Sequence, residues 1–241
     1  MVDFPGTLDE AIAQAQTATQ AALAAGYTRL QVEIAIPELK PMQPAHQYLP
    51  IFEPYGADLK VFFTDAGAAA LARREWAGSN YNLQSIDIQG TRQTTSIDQL
   101  VSPEDQAFVF VAPSAVEVGV VEQIANAAGD RPVILFNPRM EDVSIVGIGF
   151  AGRKLRERFL NTIEPCYYLK PLEGVALLRA YPSQWQVWAE TLEGYALIAE
   201  EAQKPTLERL DELFAQVMGV KQTPAQEMFA GLQRILRAIG R

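Results

Sequence analysis

Apolar residues recur along this chain with two periods, and the alternation of those periods predicts an α/β fold. Residues 59–63, 107–112 and 133–136 are apolar with little interruption and are bounded by Gly, Pro, Asp or Asn. Such runs suit strands covered on both faces, as in parallel sheets. Residues 28–36 alternate instead, with Leu30, Val32, Ile34 and Ile36 set against Arg29, Gln31, Glu33 and Ala35, and 83–88 alternate in the same way. Helical spacing fills the gaps. A helix over 7–26 is opened by Thr7-Leu8-Asp9-Glu10, a capping box in which threonine and glutamate satisfy free backbone donors. A short helix is expected near 46–52, an Ala-rich one up to Gly78, and one after the box Ser114-Ala115-Val116-Glu117 with Val120, Val121, Ile124 and Ala128 on one stripe. Residues 90–98 read as a loop or extended edge. Strand and helix in turn imply a mostly parallel, Rossmann-like sheet wrapped by helices through right-handed crossovers.

Beyond a charged helix at 152–161 the pattern changes. Residues 166–169, 175–181 and 185–189 read as short strands separated by Pro171-Leu172-Glu173-Gly174 and Pro182-Ser183. That spacing predicts an antiparallel meander appended to the parallel sheet. Two amphipathic segments follow, 206–218 and 223–239, so the expected division is one α/β domain over 1–203 and a helical extension over 204–241.

Charge and composition narrow the function. The formal net charge of -9 lacks the basic excess of a general nucleic-acid binder. Cys166 is the only cysteine, which rules out an internal disulfide and a Cys-based structural zinc site within one chain. No apolar run is long enough to span a bilayer, so any membrane association is expected to be peripheral. The first residues lack the basic start and apolar core of a secretory signal, and a cytoplasmic location is expected.

Candidate chemistry gathers at the strand ends. In open parallel sheets ligands bind outside the carboxyl ends of the strands. Four ends supply Pro37-Glu38, Thr64-Asp65, Pro113-Ser114 with Glu117, and Asn137-Pro138-Arg139. Helix capping explains Asp65, Ser114 and Glu117 without a ligand. Asn137 and Arg139 are harder to assign to capping, although an Asn-Pro turn is also structural punctuation. Gly147 to Gly152 spell a formal G-x-G-x-x-G, but late in the chain and without the strand-ending acid of a dinucleotide site. In the helix that follows, Arg153, Lys154, Arg156 and Arg158 form either a solvated face or a surface for an acidic or phosphorylated partner. His46 is the sole histidine and no nucleophile elbow or phosphate-binding P-loop occurs, so no catalytic residue, metal or cofactor is assigned. Cys166, followed by two tyrosines, reads as a buried structural thiol.

Four motifs in one order carry a family resemblance: residues 66–74 (AGAAALARR), 111–118 (VAPSAVEV), 135–142 (LFNPRMED) and 167–174 (YYLKPLEG). Over about Thr7 to Glu201 the chain resembles a domain-of-unknown-function family of cyanobacteria and plastids, which includes the low-photosystem-II-accumulation factors and the extension of a chloroplast adenylate kinase. The resemblance implies a non-enzymatic accessory factor that binds photosystem subunits or their insertion machinery, possible peripheral association with the thylakoid membrane, and no nucleic-acid partner. Asp65, Ser114, Glu117, Asn137, Arg139, Arg153 and Arg156 are the candidate binding residues. The alternative is an enzyme acting on a small molecule or phosphate ligand in the strand-end crevice, with Asp65 as base and Asn137 orienting the substrate.

Overall fold

The computed structural model describes residues 3–86, 97–140 and 150–217. Helix α1 (Leu8–Ala24) begins where Thr7 Oγ1 accepts from the Glu10 N–H (3.1 Å) and the Glu10 carboxylate accepts from the Gly6 N–H (2.7 Å). There follow β1 (Arg29–Ile34), α2 (Met42–Tyr48), a 3₁₀ segment (Leu49–Asp58), β2 (Leu59–Phe63), α3 (Ala66–Glu75), β3 (Asn82–Ser85) and α4 (Ile97–Leu100). The second half holds β4 (Ala107–Val111), α5 (Val118–Ala128), β5 (Val133–Phe136), α6 (Phe150–Arg158), a 3₁₀ turn (Leu160–Thr162), β6 (Glu164–Pro171), β7 (Val175–Ala180), β8 (Trp185–Thr191), β9 (Gly194–Glu201) and α7 (Leu207–Val217).

The nine strands form one sheet in the order β3-β2-β4-β5-β1-β6-β7-β8-β9. Neighbours are parallel from β3 through β6 and antiparallel from β6 to β9. The expected fold class is therefore the one observed. Apolar runs became the doubly covered strands: every residue of β2 but Lys60 is a buried apolar one, and β4 and β5 are buried and apolar throughout. On one face α1, α2, the 49–58 segment and α3 cover Val32, Ile34, Phe63, Val109 and Phe136. On the other face α5 and residues 159–160 cover Phe62, Phe108, Phe110 and Leu135, while Leu210 and Leu213 of α7 cover Tyr168, Leu177, Trp185 and Val187.

Two consequences position the site. The connection after β1 runs to β2 on the first face, whereas the connection after β5 carries α6 on the second face past β1 to β6. The chain thus leaves β5 and β1 toward opposite faces, a topological switch point, where a crevice opens at the carboxyl ends. In addition, the second face of β1 lies between its two helical coverings, and there its side chains are the half-buried Gln31 and Glu33.

Boundaries moved where local turn chemistry won. The helix expected near 46–52 is α2 at 42–48 continued as a 3₁₀ segment, in which Pro54 has no N–H for an α ladder. Helix α5 starts at Val118, because residues 114–117 close a turn of their own. Helix α6 runs over 150–158 and residues 97–98 belong to α4. Strand β9 adds a fourth member to the meander. Residues 143–146, Gly147 to Gly149, most of 90–98 and the segment 223–239 lie outside the described residues.

Candidate functional site at the carboxyl ends of the strands

Among the described residues, three that are not glycine take left-handed backbone: Glu38 (φ 62°), Ala112 (φ 51°) and Asn137 (φ 48°). They follow β1, β4 and β5, three adjacent strands, so the conformations gather at one edge of the sheet. Asn tolerates this region better than most residues, and the structure shows why one stands at 137. Its N–H donates to the Val32 carbonyl (2.7 Å), its Oδ1 accepts from the Ile34 N–H (2.6 Å) and its Nδ2 donates to the Ile34 carbonyl (3.3 Å). The main chain turns away from β1 at this residue, and the side-chain amide extends the β5–β1 ladder by one step.

The β4 and β5 exits stay joined as well. The Ala112 N–H donates to the Phe136 carbonyl (2.8 Å), and the Arg139 N–H donates to the Pro113 carbonyl (2.7 Å) within a bridge pairing Ser114 with Arg139. Glu117 folds back onto Ser114, accepting from its N–H (2.8 Å) and its hydroxyl (2.5 Å). Asp65 Oδ1 caps α3 through the Ala68 N–H (2.8 Å). Asp65, Ser114, Glu117, Asn137 and Arg139 thus share one edge of the sheet, with the side chains of the first four hydrogen-bonded to backbone. Arg139 differs. It is exposed, and no described carboxylate pairs with its guanidinium.

Two cavities open beside Arg139, of about 240 and 350 Å³, and both are lined by Glu33, Pro138 and Arg139. The smaller lies at the switch point between Ile34–Leu39 and Asn137. The larger reaches beneath Arg139 over β1 and β6, where Gln31 Nε2 donates to Glu33 Oε2 (2.7 Å) and Lys170 and Lys204 complete the wall. The Lys204 ammonium sits 4.0 Å from the centre of the Tyr168 ring, a cation–π contact that fixes its position. Gln31, Glu33, Lys170 and Lys204 were not singled out in the sequence. A signal for the first two exists: a central parallel strand covered on both faces should be apolar on both, and 29–34 is not.

The basic helix does not act as a block. Arg158 forms two hydrogen bonds with Glu122 of α5 (2.6 and 2.9 Å), which hold the Glu122 carboxyl below its ordinary pKa. Arg156 is also engaged. Lys154 lies over the Phe150 ring (4.5 Å), and Arg153 is exposed. Val116, on the turn after β4, and Phe150, at the start of α6, are 72% and 67% exposed.

Away from this edge, Cys166 is buried, its Sγ donating to the Gln31 carbonyl (3.3 Å) beside Thr19 (3.6 Å), and burial pushes its thiol up to about 12. That environment fits a structural thiol and opposes a thiolate nucleophile. His46 stacks on Trp76 with ring centres 5.0 Å apart. Among the described residues no group of His, Cys, Asp and Glu could hold a metal ion, and no helix is long and apolar enough to cross a membrane. Residues 5–212 match the sequence model of the family described as Domain of unknown function (DUF1995).

Proposed function

On the premise that the chain belongs to this DUF1995 family, we propose that it is a non-enzymatic accessory factor that binds a protein partner at the carboxyl edge of its sheet. The observation that carries the reading is the division of labour at that edge. Asp65, Glu117 and Asn137, the groups suited to acid–base or orienting work, are hydrogen-bonded to nearby backbone, whereas Arg139, Arg153 and Lys154 are exposed cations, Val116 and Phe150 are exposed apolar side chains, and Lys154 lies over the Phe150 ring. Exposed apolar side chains together with exposed cations suit an acidic, partly apolar protein segment. The resemblance to photosystem II accumulation factors directs the choice of partner to photosynthetic membrane complexes, approached from the cytoplasmic side.

An enzyme acting on a small ligand in the same crevice is the second reading, favoured by the two cavities at the switch point. It would need Asp65 and Asn137 to leave the hydrogen bonds they make.

Affinity co-purification from gently solubilised photosynthetic membranes tests the first reading, using the wild type and a Phe150→Ser/Arg153→Glu variant. The expected result is recovery of photosystem or insertion-machinery subunits by the wild type and loss of that recovery in the variant. Recovery no greater than that of an unrelated acidic protein would overturn it.

A further inference from the structure

The larger cavity carries a charge pattern that the docking surface does not explain. Its wall holds three cations, Arg139, Lys170 and Lys204, in a chain of net charge -9, and no described carboxylate forms a salt bridge with any of them. Like charges gathered around one space repel, and an anion that enters the space relieves that repulsion. Glu33, the one acid among the described residues of the lining, reduces their charge from +3 to +2. Its hydrogen bond to Gln31 makes the floor an amide–carboxylate pair, with acceptor sites suited to hydroxyl groups. Leu160 and Ile163 close one side with apolar surface.

We propose that this cavity binds the phosphate monoester of a small polyol. The phosphate lies among Arg139, Lys170 and Lys204, and the hydroxyls donate to the Gln31–Glu33 floor. A phosphate monoester is nearly dianionic at neutral pH and matches the cavity's charge, and the guanidinium of Arg139 supplies a fixed fork for two of its oxygens. At about 350 Å³ the space lies near the lower end of small-molecule sites, which suits a sugar phosphate and excludes a dinucleotide. Arg139 borders both the docking surface and the cavity, whereas Gln31, Glu33, Lys170 and Lys204 belong to the cavity and not to the docking surface, and variants at those four test it separately.

Isothermal titration of the full chain at low salt, with ribose 5-phosphate, glycerol 3-phosphate, inorganic phosphate and ribose, tests the site. Saturable binding of both esters, weaker binding of inorganic phosphate and none of ribose are expected. Lys170→Ala should weaken the esters about tenfold or more, the scale of losing a hydrogen bond to a charged group. Glu33→Gln should tighten inorganic phosphate, since a like charge is removed, while narrowing the advantage of the esters. Loss of folding cannot produce a gain in affinity, so this variant separates recognition from stability. Flat heats for all three phosphates, equal affinity of wild type and Lys170→Ala, or weakened inorganic phosphate in Glu33→Gln would each overturn the proposal.

Discussion

The two ends of the parallel sheet are built from the same strands and treat charge in opposite ways. At the amino end, buried Lys60 lies 2.9 Å from buried Asp105 and donates to the Leu100 carbonyl (3.0 Å), while Asp105 accepts from the Ser102 N–H (2.6 Å). The Arg131 guanidinium donates to the carbonyls of Ala127, Ala128, Ser102 and Asp105 and lies over the Phe108 ring. Lys60 and Asp105 are buried as a pair, and Arg131 is held by four carbonyls. At the carboxyl end Arg139, Lys170 and Lys204 border open space, and the backbone is left-handed at Glu38, Ala112 and Asn137. Unusual backbone persists only where surrounding structure enforces it. In the proposed reading, the contrast gives stability to one end and recognition to the other.

The hardest blow to the amino end is Asp105→Ala, which strands a buried ammonium; a loss of about 3–5 kcal/mol is expected in urea unfolding. A loss below about 1 kcal/mol would mean that this end is not held by its charges. Next comes Asn137→Ala, which removes two side-chain hydrogen bonds to Ile34 and keeps a Cβ on left-handed backbone, for about 2 kcal/mol. Asn137→Gly should recover part of that, because glycine adopts φ 48° without penalty. Equal midpoints for these two variants would show that backbone strain at this turn is negligible.

Between the two ends lies the buried thiol of Cys166. Its folded-state pKa, about 12, stands above the ordinary 9.0, so the stability it contributes is complete below about 9 and is lost as pH climbs toward 12. Cys166→Ala should flatten that alkaline loss in part, with tyrosines raised by burial, Tyr48 and Tyr167 among them, still contributing. Smallest of all should be Arg139→Ala and Lys170→Ala, each within about 0.5 kcal/mol of wild type in the same unfolding experiment. If either cost as much as Asn137→Ala, the open end would be structural and the contrast would fail.

How far the sequence reveals this arrangement depends on what each residue had to satisfy. Strands β2, β4 and β5 are visible because burial on two faces demands apolar residues at every position but one. The meander is visible through its turns. Strand β9 is hidden because Gly194–Glu201 is rich in Ala, Leu and Glu, residues with good helix propensity, and pairing with β8 decides its conformation. Arg139 and Asn137 stand out by following an apolar run. Lys170 and Lys204 do not, since it is the parallel pairing of β6 with β1, and the chain coming back after the antiparallel strands, that bring these two residues to the cavity. Gln31 and Glu33 were visible as an alternation whose meaning depended on knowing that β1 sits between β5 and β6.

That placement also bears on biosynthesis. Strand β1 is made early, yet both of its partners, β5 and β6, are separated from it by roughly a hundred residues or more, several seconds of translation. Until they arrive, β1 exposes two unpaired edges, a template for sticking to other nascent chains. Arg29, Gln31 and Glu33 make one face of that waiting strand polar. The residues that floor the cavity in the finished protein would therefore act earlier as gatekeepers against aggregation, and replacing Gln31 and Glu33 with valine should lower the yield of folded chain on the ribosome more than it lowers the stability of the chain once folded.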